Sequence, residues 1–142
     1  GWIMARENAP LLMTNTFLSI SKNPYVVLLL INVLLLILGC VMETIAVMVI
    51  LVPILTPLVQ SLGIDLVHFG VMITLNLMIG LLTPPVGMVM YAVVSIAKVS
   101  VVEFTKECFP FMVALFVVLI LITYIPSLVL WIPNLVFQFI TP

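Results

Sequence analysis

The spacing of the charges restricts this chain more than any other feature. Arg6, Glu7, Lys22, Glu43, Asp65, Lys98, Glu103, Lys106 and Glu107 are its charged residues, and the stretches between them are essentially apolar. A chain that coats itself in water carries about 25% charged residues. Here 6% are charged, 65% are hydrophobic and the mean hydropathy is +1.51. Lipid is therefore the solvent, and the charges punctuate membrane segments. The fold class predicted is an all-α polytopic membrane protein, because a helix keeps its backbone hydrogen bonds internal.

The same scarcity of charge excludes a nucleic-acid partner, which needs clustered Lys and Arg; the net charge is −1. Cys40 and Cys108 have no Cys or His at ligand spacing, so they read as free thiols and no transition-metal site is expected. The chain opens on Gly1 and lacks the zones of a signal peptide. It is expected to be a fragment or processed piece, with the remainder of the molecule upstream.

Residues 1–23 are expected to hold the end of a preceding helix and an amphipathic arm, in which Asn8, Thr14, Asn15, Thr16 and Ser19 alternate with Leu11, Leu12, Met13, Phe17 and Leu18. Such an arm is too polar to span and lies along the interface. Residues 24–62 read as a re-entrant helical hairpin with its tip at 39–43. Gly39 is expected to end the first arm about 22 Å along, against a hydrocarbon core of about 30 Å. The alternative is two short spans with Glu43 at a surface turn.

Residues 66–98 are too long for one straight span and too short for two. Thr83-Pro84-Pro85-Val86-Gly87 accounts for this, since two prolines remove backbone donors and a glycine permits unusual dihedrals. A discontinuous transmembrane helix broken at 83–87 is predicted. A polar loop at 99–107, a final transmembrane helix at 108–132 and a C-terminal tail at 133–142 follow, with Tyr124, Pro126, Trp131 and Pro133 as an interfacial belt.

Irregular backbone at membrane depth is tolerated only where protein buries it or it lines a cavity. The tip and the break would each free carbonyl oxygens suited to a hard cation such as Na⁺, while helix N-termini beside them would face an anionic group. Glu43 is either a charge donated to that site or a cap on the second arm. Thr44 and Thr83 are either cation ligands or bonded back to their own helices. Asn76, with Asn32 as a weaker case, either bonds between helices or supports the ion site. His68 beside Asp65 reads as a capping and hydrogen-bonding residue, and the methionines as packing residues.

An intramembrane protease needs paired carboxylates or a Ser–His pair in the membrane, and neither set is visible. A purely structural subunit is disfavoured, because two backbone breaks weaken a scaffold without use. No enzyme activity is expected.

One ordered set of residues carries a family resemblance. Gly39 with Met42-Glu43, Pro53-Ile54-Leu55-Thr56-Pro57, Gly63-Ile64-Asp65, His68-Phe69-Gly70-Val71, Asn76-Leu77 and Ile79-Gly80-Leu81-Leu82-Thr83-Pro84-Pro85-Val86-Gly87 resemble the large membrane subunit of TRAP transporters, the DctM-like family, in its C-terminal third. Ile96-Ala97-Lys98, Pro110-Phe111 and the aromatic–proline tail extend the match.

The resemblance implies one half of an inverted-repeat elevator transporter of the bacterial inner membrane, importing organic acids such as dicarboxylates or sialic acid by Na⁺ symport. Its partners would be a small membrane subunit, a periplasmic substrate-binding protein and the rest of the large subunit. Na⁺ would be the coupling ion, with no organic cofactor.

By the same resemblance Gly39, Glu43, Thr44, Thr83, Val86 and Gly87 would bind the cation, Cys40, Val41, Pro84 and Pro85 would face substrate, and Asn76 would give support. The family pattern has Asp where Glu43 stands and Pro where Leu66 stands, which leaves direct ligation by the carboxylate open. Arg6 and Lys22 balance Lys98 and Lys106, so the positive-inside rule gives no orientation. The resemblance places Lys98 and Lys106 in the cytoplasm and the C-terminus in the periplasm. A Na⁺-dicarboxylate carrier that needs no binding protein is the alternative.

Overall fold

The computed structural model describes residues 9–140, and every regular element among them is a helix. These are α1 (Ala9–Ile20), α2 (Pro24–Val41), α3 (Thr44–Ser61), α4 (Leu66–Leu82), α5 (Met88–Ala97), α6 (Val101–Tyr124) and α7 (Ser127–Ile140). The expected end of a preceding helix, with Arg6, Glu7 and Asn8, and the last two residues of the tail lie outside the described residues. α2, α3 and α6 are each long and apolar enough to cross a membrane, with mean hydropathies of 2.7, 2.0 and 2.2.

Several of the few polar residues serve helix starts, where four backbone N–H groups lack intrahelical partners. Asn23 accepts from Tyr25 N at 3.0 Å ahead of Pro24, opening α2. Asp65 accepts from Val67 N at 2.7 Å and opens α4. Ser100 and Glu103 form a reciprocal capping box, so α6 begins at Val101 and the expected polar loop at 99–107 is largely helix. The charges of Glu103, Lys106 and Glu107 therefore ride on the first turns of α6. That helix stops at Tyr124 rather than near residue 132, because Pro126 lacks a backbone donor and restricts Ile125 before it. The expected tail from residue 133 continues α7 through Pro133 to Ile140.

α2 also differs from expectation at its end. Met42 N donates to Leu38 O at 2.8 Å, so the helix runs past Gly39 to Val41 and only Met42 and Glu43 are extended. The 18-residue arm is about 27 Å long, close enough to the ~30 Å core that length alone does not distinguish a re-entrant arm from a short span. Pro53 and Pro57 sit inside α3 without ending it.

α4 is the centre of the assembly. α2 packs against it most extensively, α6 and α3 flank it, and the arms α2 and α3 touch each other sparsely. α1 lies on α3. Val27, Ile31 and Leu35 of α2 meet Phe69, Met72, Ile73 and Leu77 of α4, together with Leu51, Leu55 and Leu58 of α3, in one apolar cluster. The three- and four-residue spacing is that of a helix burying a single stripe. Leu29, Val33 and Ile37 on the other side of α2 are exposed, an apolar face suited to lipid or further protein.

Candidate functional site

The direction of the helices assembles the site. Asn32 bonds Met72 and Asn76, and farther along α2 Gly39 packs on Leu77 and Gly80. Residue numbers rise together along the pair, so α2 and α4 run parallel and their C-terminal ends lie side by side. α6 runs the opposite way, with Ile122 beside His68 and Val101 to Phe109 beside Pro84.

At the Gly39–Gly80 contact the two backbones nearly touch. A Cβ on Gly80 would lie 2.7 Å from Gly39 C and 2.8 Å from Gly39 Cα. Small residues permit this approach in membranes, where packing rather than hydrophobicity drives association. It brings the connection at Met42 and Glu43 level with the break at 83–87.

Two helix C-termini thus meet, each leaving carbonyls with no further turn to supply donors. Leu38 O accepts from Met42 N, and beyond it the carbonyls of Gly39, Cys40 and Val41 close α2. On α4, Thr83 N donates to Gly80 O at 3.1 Å, and the Thr83 hydroxyl donates to Ile79 O at 2.7 Å. That hydroxyl bonds back to its own helix, yet its lone pairs stay free to accept or ligate. Gly87 has φ +28°, and a Cβ there would sit 3.0 Å from both Leu81 O and Thr83 O. Two carbonyl oxygens therefore converge where glycine leaves space. Leu81 escaped the sequence reading, since a leucine in an apolar run carries no signal that its backbone oxygen is exposed by a break two residues on.

The side chains divide by burial. Thr44 is 5% exposed, and its hydroxyl has no hydrogen-bond partner. Glu43 is exposed and accepts from Ala46 N at 2.9 Å, which is the capping role. Its carboxylate keeps further acceptor capacity. Cys40 is half-buried, Val41, Pro84, Pro85 and Val86 are exposed, and Gly87 is buried. Tyr91, another residue the sequence did not single out, donates its hydroxyl to Pro85 O at 3.2 Å and ties the break to α5. An open apolar groove between the break and α6 is lined by Pro84, Val101, Val102, Thr105 and Phe109, with Lys106 bringing a charge to it.

The donor set is neutral carbonyl and hydroxyl oxygen with one carboxylate nearby, which suits a hard monovalent cation rather than a transition metal. Among the described residues no three His, Cys, Asp or Glu side chains gather as a metal-ion site. Gly87, the residue before α5, supplies no side-chain cap, which leaves the first N–H groups of α5 for an anion.

Asn76 lies outside this group and is fully buried. Its Nδ2 donates to Asn32 Oδ1 at 2.7 Å and to Asn32 O at 3.0 Å, while its own Oδ1 has no partner. The interhelical bond weighed from sequence is therefore present. His68 is 1% exposed and pairs through Nε2 with Ile122 O, so Nε2 carries the proton, because a carbonyl can only accept.

Comparison with known proteins adds a family. The model of the tripartite ATP-independent periplasmic transporter, DctM component, matches residues 1–128. The sialic acid TRAP transporter large permease protein SiaM of Vibrio cholerae is 49% identical over 135 residues, covering 95% of this chain and 32% of the relative. The sialic acid TRAP transporter permease protein SiaT of Haemophilus influenzae is 41% identical, covering 95% of this chain and 22% of its own length. The C4-dicarboxylate TRAP transporter large permease protein DctM of Vibrio cholerae is 35% identical over 94% of this chain and 29% of its own length. The chain thus spans about a third or less of these relatives.

Proposed function

Because the chain belongs to the DctM component family of tripartite ATP-independent periplasmic transporters, we propose that it builds one ion and substrate site of a Na⁺-coupled importer of organic acids. The observation that carries the reading is the meeting of two helix C-termini beside the buried, unpartnered Thr44 hydroxyl. A hydroxyl left without a partner at membrane depth costs several kcal/mol, so the site calls for a ligand.

In this reading the carbonyls of Gly39, Leu81, Thr83, Val86 and Gly87 and the hydroxyls of Thr44 and Thr83 ligate Na⁺. Cys40, Val41, Pro84 and Pro85 line the substrate side, where the free N–H groups of α5 meet a carboxylate. Bound there, Na⁺ would add positive charge opposite that carboxylate, and its gradient would drive uptake. Sialic acid is favoured over a C4-dicarboxylate by the higher identity to the sialic acid permease.

α2 and α3 form a re-entrant hairpin. Support comes from the level placement of its connection beside the break, since α5 adds about 15 Å of uncharged helix beyond it. The site moves across the inner membrane in elevator fashion, with a small membrane subunit and a periplasmic binding protein as partners. Lys98 and Lys106 face the cytoplasm and the C-terminus the periplasm. A reporter active only in the periplasm, fused to the C-terminus of the full-length protein, is expected to be active; activity of a cytoplasm-only reporter in its place would reverse the orientation.

Uptake by the full-length protein reconstituted with its partners tests the function. Labelled sialic acid is expected to accumulate only with an inward Na⁺ gradient and with the binding protein present. Uptake without the binding protein would instead favour the stand-alone carrier. Within that assay Glu43→Gln keeps an acceptor for Ala46 N and removes the charge. If Glu43 only caps α3, apparent Na⁺ affinity stays within about twofold; a drop of about tenfold, 1.4 kcal/mol, would place its charge in the site.

A further inference from the structure

Three polar contacts close a triangle between α2, α4 and α6 well away from the break. Asn76 Nδ2 donates to Asn32 Oδ1, Asn32 Nδ2 donates to Thr123 Oγ1 at 3.1 Å, and His68 Nε2 donates to the carbonyl of Ile122, the residue before Thr123. Thr123 Oγ1 in turn donates to Leu119 O at 2.6 Å, so its hydroxyl both gives and receives. Asn32, Asn76, Thr123 and His68 are at most 7% exposed.

Apolar faces alone do not set helix register in a membrane, because lipid competes equally for them; side-chain hydrogen bonds and close packing do. Gly39 lies two turns beyond Asn32 on α2, and Gly80 one turn beyond Asn76 on α4. Whatever fixes Asn32 against Asn76 therefore fixes the closing carbonyls of α2 against those of α4. Slippage by part of a turn would pull the two carbonyl sets apart.

We infer that Asn32, Asn76 and Thr123 are positioning residues for the cation site, setting its affinity from a turn or more along the helices without touching the ion. The inference rests on the Na⁺-coupled reading above. Thr123 is the decisive member: it sits on a third helix, its truncation is nearly isosteric, and it is remote from the break.

The test uses the full-length transporter with Cys40 as its single cysteine, comparing Thr123→Val, Thr123→Ser and Asn76→Leu. Thr123→Val is expected to raise the Na⁺ concentration for half-maximal uptake about 3- to 10-fold, the span of one interhelical side-chain hydrogen bond, with maximal rate and expression little changed. Cys40, near the end of α2, is expected to label faster with a maleimide in the same variant. Thr123→Ser, which keeps the hydroxyl, restores both values, and Asn76→Leu shifts both in the direction of Thr123→Val.

A Na⁺-dependent parent whose half-maximal Na⁺ concentration is unchanged in Thr123→Val and Asn76→Leu overturns the inference and leaves the transport reading standing. A parent whose uptake ignores Na⁺ overturns the Na⁺ reading and the affinity role together. Cys40 labelling then still decides the remainder: faster labelling in Thr123→Val retains the triad as the device that positions the end of α2, and an unchanged rate removes that as well.

Discussion

Gly80→Ala is expected to destabilise the protein more than any other addition of one methyl group at its glycines. The new Cβ would stand 2.7 Å from Gly39 C, 2.8 Å from Gly39 Cα and 3.1 Å from Cys40 N. All three are backbone atoms, so no side chain can rotate aside, and α2 as a whole must retreat from α4. Overpacking of this kind costs about 1–3 kcal/mol, and the retreat also stretches the Asn32–Asn76 pair.

Gly39→Ala is the internal comparison. Its Cβ would meet Leu77 Cδ2 at 3.2 Å and Leu77 Cα at 3.3 Å, so part of the strain can be relieved by a flexible side chain. Thermal unfolding of the purified full-length protein should rank parent above Gly39→Ala above Gly80→Ala. A Gly80→Ala protein as stable as the parent would show that the two helices do not approach this closely.

The other large effect is functional. Gly87→Val is expected to reduce Na⁺-driven uptake to background. Two causes act together: φ of +28° is a conformation that L side chains rarely adopt, and the side chain would occupy the space on which Leu81 O and Thr83 O converge at 3.0 Å. Gly63→Ala separates them, since Gly63 has φ +70° but nothing within 4 Å of its Cβ. It should lose about 1 kcal/mol of stability and keep transport. Thr83→Ser, which retains the hydroxyl, should transport as well. Normal Na⁺-driven uptake by Gly87→Val at normal expression would remove the carbonyl site at the break.

The break beside the candidate site was legible because its determinants act where they stand. Pro84 and Pro85 lack backbone donors whatever surrounds them, and the structure has no helix from Thr83 to Gly87. Glu43 read equally as a cap on the arm that follows it or as a charge for the ion site, and its carboxylate does accept from Ala46 N as a cap would. Gly39 was harder, because a glycine near the end of an apolar run reads equally as a helix stop or as a place where another backbone comes close. It is the second, and the helix continues past it. The charges at 103–107 suggested a loop, while the reciprocal bonding of Ser100 and Glu103 makes them the start of a helix.

From its sequence alone this chain was determined to be a lipid-solvated helical protein with a proline break at 83–87 and helix-start signals at Asn23 and Asp65. Hydropathy, missing donors and capping are properties of a residue and its nearest neighbours. Only the tertiary structure decided that α2 pairs with α4 in parallel rather than with α3, that Asn32, Asn76 and Thr123 meet, and that Leu81 O turns toward Gly87. Those relations join residues as much as 91 positions apart. They depend on which small residue faces which backbone across a helix contact, a fact that no local pattern contains.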